Sequence, residues 1–384
     1  MNKKLVALAV AGAFALPLAA EAQTGTAQVT LYGRANMDLE FVKASGPGAA
    51  DGSTTTVTRI ASNSSRFGLR GTESLGGGLT AFFQVENSVN WDGNGGTIAG
   101  RETFVGLQGS YGQIWLGRSL SPYDDTTPIW AAGAYNYNTG LFNNSSLWAN
   151  NSNGVEHIGG YDDRYSNSIR WNSPTWSGFT AEVQVASQEN TGHSWLFSPG
   201  IFYSNGPIQA GLTYARHDKI RCYNAAGTSF AACGATPFAG LAAKDDAFTL
   251  AGSYDFGVAK VALVYEHLKY ETPTGDLKRD FWGISGTIPM GEGLWYLYYG
   301  RAGDGKGGAA DTERINSLAH GSDTSASNFE IGYRYNLSKR TSLNAGYVMI
   351  RNDDRANYTF NVNGYAVKQG GDPQGFVLGI IHNF

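Results

Sequence analysis

Long hydrophobic runs are what this chain lacks first. After residue 22 no window holds about 18 consecutive apolar residues, the length a helix needs to cross a bilayer, so helical membrane spans are excluded. Charge is also scarce: 16% of residues are Asp, Glu, Lys or Arg, against roughly 25% in an average globular protein. There is no Lys/Arg run and the net charge is −4, so nucleic-acid binding has no electrostatic footprint. Two cysteines do not supply a structural zinc site, and the six histidines (His157, His193, His217, His267, His320, His382) are scattered without ligand spacing. No metal or other cofactor is expected. G-x-S-x-G, H-E-x-x-H and an acidic EF-hand-like loop are all missing, which leaves each motif route to an enzyme empty.

What the chain has in quantity is aromatics, 13% of residues, and 52 glycines among 384 residues. Aromatics favour strands, and glycines mark turns and tight bends. The first 22 residues stand apart. Lys3 and Lys4 precede an apolar stretch, and Ala20, Glu21 and Ala22 form a small-x-small cleavage site. The reading is a cleaved signal peptide over 1–22 and one domain over 23–384. Its removal moves the net charge from −4 to −5. Cys222 and Cys233 lie in a polar stretch, spaced for a loop disulfide in an oxidising compartment, with two free thiols as the open alternative.

Alternation with a period of two dominates the rest. Over 29–41 the odd positions are Val, Leu, Gly, Ala, Met, Leu and Phe, and the even ones are Thr, Tyr, Arg, Asn, Asp and Glu. That is too long for an ordinary strand, and it suits a tilted strand that crosses a bilayer and continues beyond it. The pattern recurs at 65–73 with 79–88, 103–109 with 112–119, 167–173 with 178–188, 199–204 with 207–217, 245–256 with 258–270, 279–289 with 292–302 and 326–337 with 340–351. It closes with 374–384, where Phe376, Leu378, Ile380, His382 and Phe384 share a face. Sixteen strands result. Short turns alternate with long polar loops at about 44–63, 89–100, 120–166, 189–198, 218–244, 271–278, 303–325 and 352–373. Backbone polar groups cannot stay unpaired in hydrocarbon, so only helices or closed barrels span it. With helices excluded, the fold class is all-β: a 16-stranded antiparallel transmembrane β-barrel with short periplasmic turns and long extracellular loops. A barrel of that size encloses water.

Four stretches carry a family resemblance: Val29-Thr-Leu-Tyr-Gly33, Ser65-Arg-Phe-Gly-Leu-Arg-Gly-Thr-Glu73 through Gly78, Trp115-Leu-Gly-Arg118, and the end at Phe384. With them the chain resembles the general porins of Gram-negative outer membranes, in particular the beta-proteobacterial type, along essentially its whole mature length. The resemblance implies a homotrimer set in outer-membrane lipid and lipopolysaccharide, with the third long loop folded into each pore. It also implies that Phe384 is the signal read by the barrel-insertion machinery.

A pore acts through the charge and width of its narrowest point. Arg34, Arg66 and Arg70 fall on polar strand faces, Arg170 and Arg334 follow the same parity, and Arg101 and Arg164 sit at strand–loop borders. The resemblance aligns Arg66, Arg101 and Arg164 with the family's basic wall. The plainer reading pairs such arginines with lumenal carboxylates, namely Asp38, Glu40, Glu86 or Glu182. In the third loop Asp124 and Asp125 are expected to face the arginine wall, or else only to cap local turns. The Pro-Glu-Phe-Gly-like turn frequent in the family is missing here. Trp115, Trp171, Trp282, Trp295, Tyr254, Tyr333, Tyr335, Tyr347 and Phe384 are expected at the bilayer interfaces.

The expected function is passive diffusion of small hydrophilic solutes, anions favoured. The alternative is a substrate-specific channel for sugars, carboxylates or aromatic acids, using Tyr32, Phe82, Trp130, Tyr135, Tyr137 and Trp148. Adhesion through the long loops is compatible with either.

Overall fold

A computed structural model describes residues 27–48, 55–93, 95–131, 141–150, 160–187, 194–227, 229–233 and 240–384. The signal-peptide reading of 1–22 lies outside the described residues, as do Tyr135, Tyr137, His157 and His193.

Sixteen long strands follow one another as β1 (Gln28–Ser45), β2 (Arg66–Gly76), β3 (Leu79–Val89), β4 (Thr103–Gly109), β5 (Gly112–Leu120), β6 (Arg164–Asn172), β7 (Phe179–Ser187) and β8 (Trp195–Asn205). They continue as β9 (Ile208–Tyr223), β10 (Ala242–Asp255), β11 (Lys260–Glu271), β12 (Asp276–Met290), β13 (Gly293–Ala302), β14 (Ala326–Asn336), β15 (Thr341–Asn352) and β16 (Asp372–Asn383). Each pairs antiparallel with the next, and β1 pairs with β16 from Arg34–Asn383 to Ser45–Asp372, which closes the ring. Short extra strands lengthen the ladders beyond the long strands, among them Val57–Ser62 beside β1.

The alternation read in the sequence is the barrel's two faces. On β1, Val29 and Leu31 are more than 60% exposed, whereas Asn36, Asp38 and Glu40 are buried in the lumen. Aromatics pair on the outer face at two levels. Tyr254 with Phe256 and Trp295 with Tyr333 lie near the short turns, and Trp282 with Tyr299 lies toward the long loops. Trp115 departs from its expected place. It lies in the lumen, 8% exposed, opposite Arg170 across the β5–β6 pair, because the β5 register turns Leu116 outward instead.

Turn lengths also differ from expectation in two places. Residues 272–275 alone connect β11 to β12, because both strands extend past the expected loop, whereas 173–178 is a six-residue connection on the short-turn side. In one two-residue turn, between β2 and β3, Gly76, Gly77 and Gly78 all have positive φ (82°, 58° and 80°), a conformation open to glycine at little cost.

The ring is also fastened on the long-loop side of the bilayer. Arg59 Nε reaches Glu40 at 2.5 Å and its other nitrogens donate to the carbonyls of Asn363 and Gly364. Asn363 in turn donates to Glu40 and to Asn63. At the opposite end, Phe384 exchanges backbone hydrogen bonds of 3.0 Å with Gly33. A Cβ at Gly33 would run into the Phe384 ring and lie 2.8 Å from the Arg66 carbonyl. Gly33→Val and deletion of Phe384 should therefore each cut the yield of folded barrel severalfold, measured by heat-modifiable gel mobility. Full yield from both variants would rule out this contact as a requirement for closure.

Candidate functional site

The lumen is divided between a polar wall, β1 to β7, and an apolar wall, β9 to β16, against which the third loop packs. The apolar wall departs from the expected polar lining. Ala247 and Ala251 of β10, Ala262, Val264 and Leu268 of β11, and Phe281 of β12 all face inward and are buried. They meet Tyr123, Trp130, Leu141, Phe142, Leu147 and Trp148 of the loop in one core. The Phe142 ring lies where side chains at Gly332 and Gly346 would be.

Polar contacts fix the loop's path. Within it a 3-10 turn, Asp124–Thr126, runs into one helical turn, Thr127–Trp130, begun by Pro128 at a position where the missing N–H costs nothing. Glu266 accepts from the Tyr123 hydroxyl at 2.6 Å and from the Ala149 amide at 2.8 Å, while Arg279 reaches its second oxygen at 2.9 Å. Both members of this ion pair are fully buried. Removing one partner of such a pair typically costs about 3–5 kcal/mol, because the other charge is left uncompensated. The Trp148 indole donates to Thr249 at 3.1 Å, and Asn150 donates to the Ile315 carbonyl of a neighbouring loop at 3.0 Å. The third loop is an inward-folded strut.

Across from it lies the polar wall. Glu86 of β3 is the hub: it forms a close ion pair with Arg101, lies 3.6 Å from Arg66, and accepts from the Tyr32 hydroxyl at 3.0 Å. Arg101 stands outside the strands. Burial, with Arg164 and then Arg66 beside it, lowers its pKa to about 10, so it is still a cation at neutral pH. Arg66 and Arg164 are thus each within electrostatic reach of Arg101. Arg34 is on the same face of β1, opposite Arg66. Arg70 differs from all of these. It is exposed in the lumen, its guanidinium lies 5.2 Å from the centroid of the Tyr32 ring, and it has no ion pair or hydrogen bond to a described residue.

The two loop aspartates separate. Asp125 pairs with Arg170 of β6, not with Arg66, Arg101 or Arg164, and Glu182 of β7 shares that arginine at 2.8 Å. Asp124 turns toward Asp162 at the far root of the loop. Burial and the Asp162 carboxyl push Asp124 well above the usual carboxylate range, with Arg164 pulling the other way. Of the proposed lumenal acids, Glu40 pairs with Arg59 and Asp38 accepts from Asn63. The residues missed by sequence reading are Glu266, Arg279, Asp162 and Glu102, the last acting electrostatically on both Tyr32 and Arg170. The alternation along β11 and β12 is the signal that could have placed Glu266 and Arg279 in the lumen, but nothing local marks them as loop anchors. Cys222, near the end of β9, and Cys233 are joined as a disulfide, Cα atoms 4.8 Å apart.

A lumen narrowed by an inward strut and lined on the other side by arginines has the geometry of a channel. The family model for Gram-negative porins matches residues 7–355. The chain belongs to the Gram-negative porin family. Outer membrane porin protein 32 of Delftia acidovorans is 30% identical over 405 residues, with the whole of both chains covered. An outer membrane porin protein of Bordetella pertussis is 29% identical, covering 90% of this chain and 93% of that one. An anion-selective porin from Comamonas acidovorans superposes with a TM-score of 0.71 at 28% identity, over 93% of this chain and 100% of the other. The protein is an outer-membrane porin, and its described strands cross the bilayer as a 16-stranded barrel.

The raised Asp124 pKa sets a pH dependence for this porin. From about pH 4 upward an unfolded Asp is ionised while the folded Asp124 keeps its proton, so the unfolded state binds fewer protons and stability falls as pH rises. The fall ends above the folded-state pKa. Asp124→Asn should flatten this slope and raise the melting temperature at neutral pH relative to wild type. Parallel melting curves against pH for the two proteins would refute it.

Proposed function

We propose that this porin is a general diffusion channel for small hydrophilic solutes and ions, that it favours anions, and that it works as a homotrimer whose mature chain starts at Gln23. One observation carries the anion preference: Arg70 presents an uncompensated, water-facing guanidinium on the polar wall, while Glu86 and Glu182 on the same wall are each engaged by arginines. Arg34, Arg66, Arg101 and Arg164 add positive potential at the same face. Local charge outweighs the chain's net −4, because low-dielectric walls focus the field of nearby groups into the lumen. At about 4 Å a unit charge interacts with a passing ion by roughly 1 kcal/mol in bulk water and about 4 kcal/mol at the lower effective dielectric of a protein surface. A single exposed arginine is therefore enough to bias permeation.

Two further facts support the reading. The porin of Comamonas acidovorans, similar over nearly the whole chain, is anion-selective. The strut packs its apolar side on the β9 to β16 wall and leaves the charged wall facing the remaining lumen, so permeating ions pass the arginines.

Reversal potentials in a KCl gradient test the proposal. Wild type should show anion preference. Arg70→Gln and Arg66→Ala should each shift the potential toward cation preference by several millivolts, with Arg70→Gln the larger because Arg66 is shared with Glu86. Clear cation preference in wild type, unaltered by either substitution, would overturn it.

A further inference from the structure

The lumenal faces of β1 to β5 carry an aromatic shelf that the passage of simple ions does not require. Tyr32 lies over Gly68, and Phe82 and Trp115 both crowd the space above Gly106. Phe104 fills in beside them, with ring centroids 6.1 Å from Phe82 and 5.5 Å from Trp115. These rings point inward by strand parity, since Phe83, Val105 and Leu116 take the outer face. Trp115 is buried, but Tyr32, Phe82 and Phe104 are only half-buried and keep part of their surface open to the lumen. A lumen that only conducts water and ions gains nothing from leaving such rings exposed.

Each end of the shelf bears a cation, and the two differ. At one end Arg170 lies 5.1 Å from the Trp115 ring centroid, but Asp125 and Glu182 already neutralise it. At the other end Arg70 lies over Tyr32 with its hydrogen-bonding capacity unspent on any described residue. Arg70 stands opposite Gln84, and the next lumenal pair is Thr72 with Phe82, which makes Phe82 the diagonal neighbour of Arg70. Such diagonal positions are roughly 7–8 Å apart, within reach of aromatic and long side chains. Beyond Phe104 and Trp115, Gln108 and Gln113 hydrogen-bond to each other at 2.9 Å and line a cavity of about 340 Å³. Gln113 is two residues from Trp115 on β5, so this space lies beside the shelf on its short-turn side.

We propose that this shelf is a binding subsite for aromatic carboxylates, with the solute's ring on Phe82 and Phe104 and its carboxylate on Arg70. The proposal rests on the anion-facing reading of the same wall and narrows its solute class. A guanidinium fork matches a carboxylate in two-point geometry. An aromatic ring adds offset or edge-to-face contact that a saturated ring of the same size lacks.

The test is single-channel recording of the whole porin in KCl, with acetate, cyclohexanecarboxylate or benzoate added at equal concentration. Benzoate should interrupt the current with an apparent affinity about fivefold above cyclohexanecarboxylate, within the range of stacking contributions, and further above acetate. Phe104→Leu should collapse the benzoate-to-cyclohexanecarboxylate ratio toward one. Arg70→Gln, an exposed position that burdens folding little, should weaken both cyclic acids and leave their ratio intact. Equal effects of all three acids on an anion-preferring wild type would overturn the shelf and leave the proposed function standing. A cation-preferring wild type would overturn both.

Discussion

Hydrocarbon leaves no water to satisfy a backbone N–H or C=O, and the architecture of this molecule follows from that constraint. The chain meets it by pairing sixteen strands in a ring, so that no edge faces lipid. Closure then imposes two faces on each strand. It places connections on two rims, and on one of them glycines at positive φ turn the chain within very few residues. The outward rings of Trp295 with Tyr333 and Trp282 with Tyr299 fix the height of the ring in the membrane.

A ring of this size encloses more space than its own side chains fill, and the third loop occupies the surplus. Its docking is an ordinary packing problem solved inside a pore. Alanines and glycines on the barrel wall make room, and tryptophans and a phenylalanine from the loop fill it. The buried Glu266–Arg279 pair gives the loop its register. With its charge compensated by Arg279, Glu266 has oxygens available for one loop hydroxyl and one loop amide. The loop's rigidity matters for transport, because a swinging strut would leave the width of the lumen beside the arginine wall undefined.

Much of this is legible in the sequence, because a period of two is imposed by solvent on each strand separately. The strand pairs, the closing strand ending at Phe384 and the lumenal parity of Arg34, Arg66 and Arg70 all follow from local pattern. What local pattern does not carry is who meets whom across the lumen. Alanines at inward positions of β10 and β11 read as weak polar-face residues until the loop that covers them is known. Trp115 reads as an interface ring because it stands near a strand end, but one step of register puts it in the lumen against Arg170. The partition of Asp124 to Asp162 and Asp125 to Arg170 depends on how a loop spanning more than forty residues returns to β6, and spacing says nothing about that. The connection at 272–275 reads as a longer loop because the ends of β11 and β12 are rich in charge, which suits a ladder in water as well as a loop.

Of the sixteen ladders, the one between β1 and β16 joins segments farthest apart in the chain, so no connecting turn holds it shut. The Arg59 clasp, with Glu40 on one side and Asn363 and Gly364 on the other, stitches that seam beyond the bilayer, and the Gly33–Phe384 exchange stitches it at the opposite rim. Such a seam behaves like a garment fastened at both hems: tension along either rim is borne by side chains and chain ends before it reaches the ladder in between. Resistance of the seam to opening is then shared between its own ladder and these contacts at its two ends, neither of which lies on the membrane-facing wall.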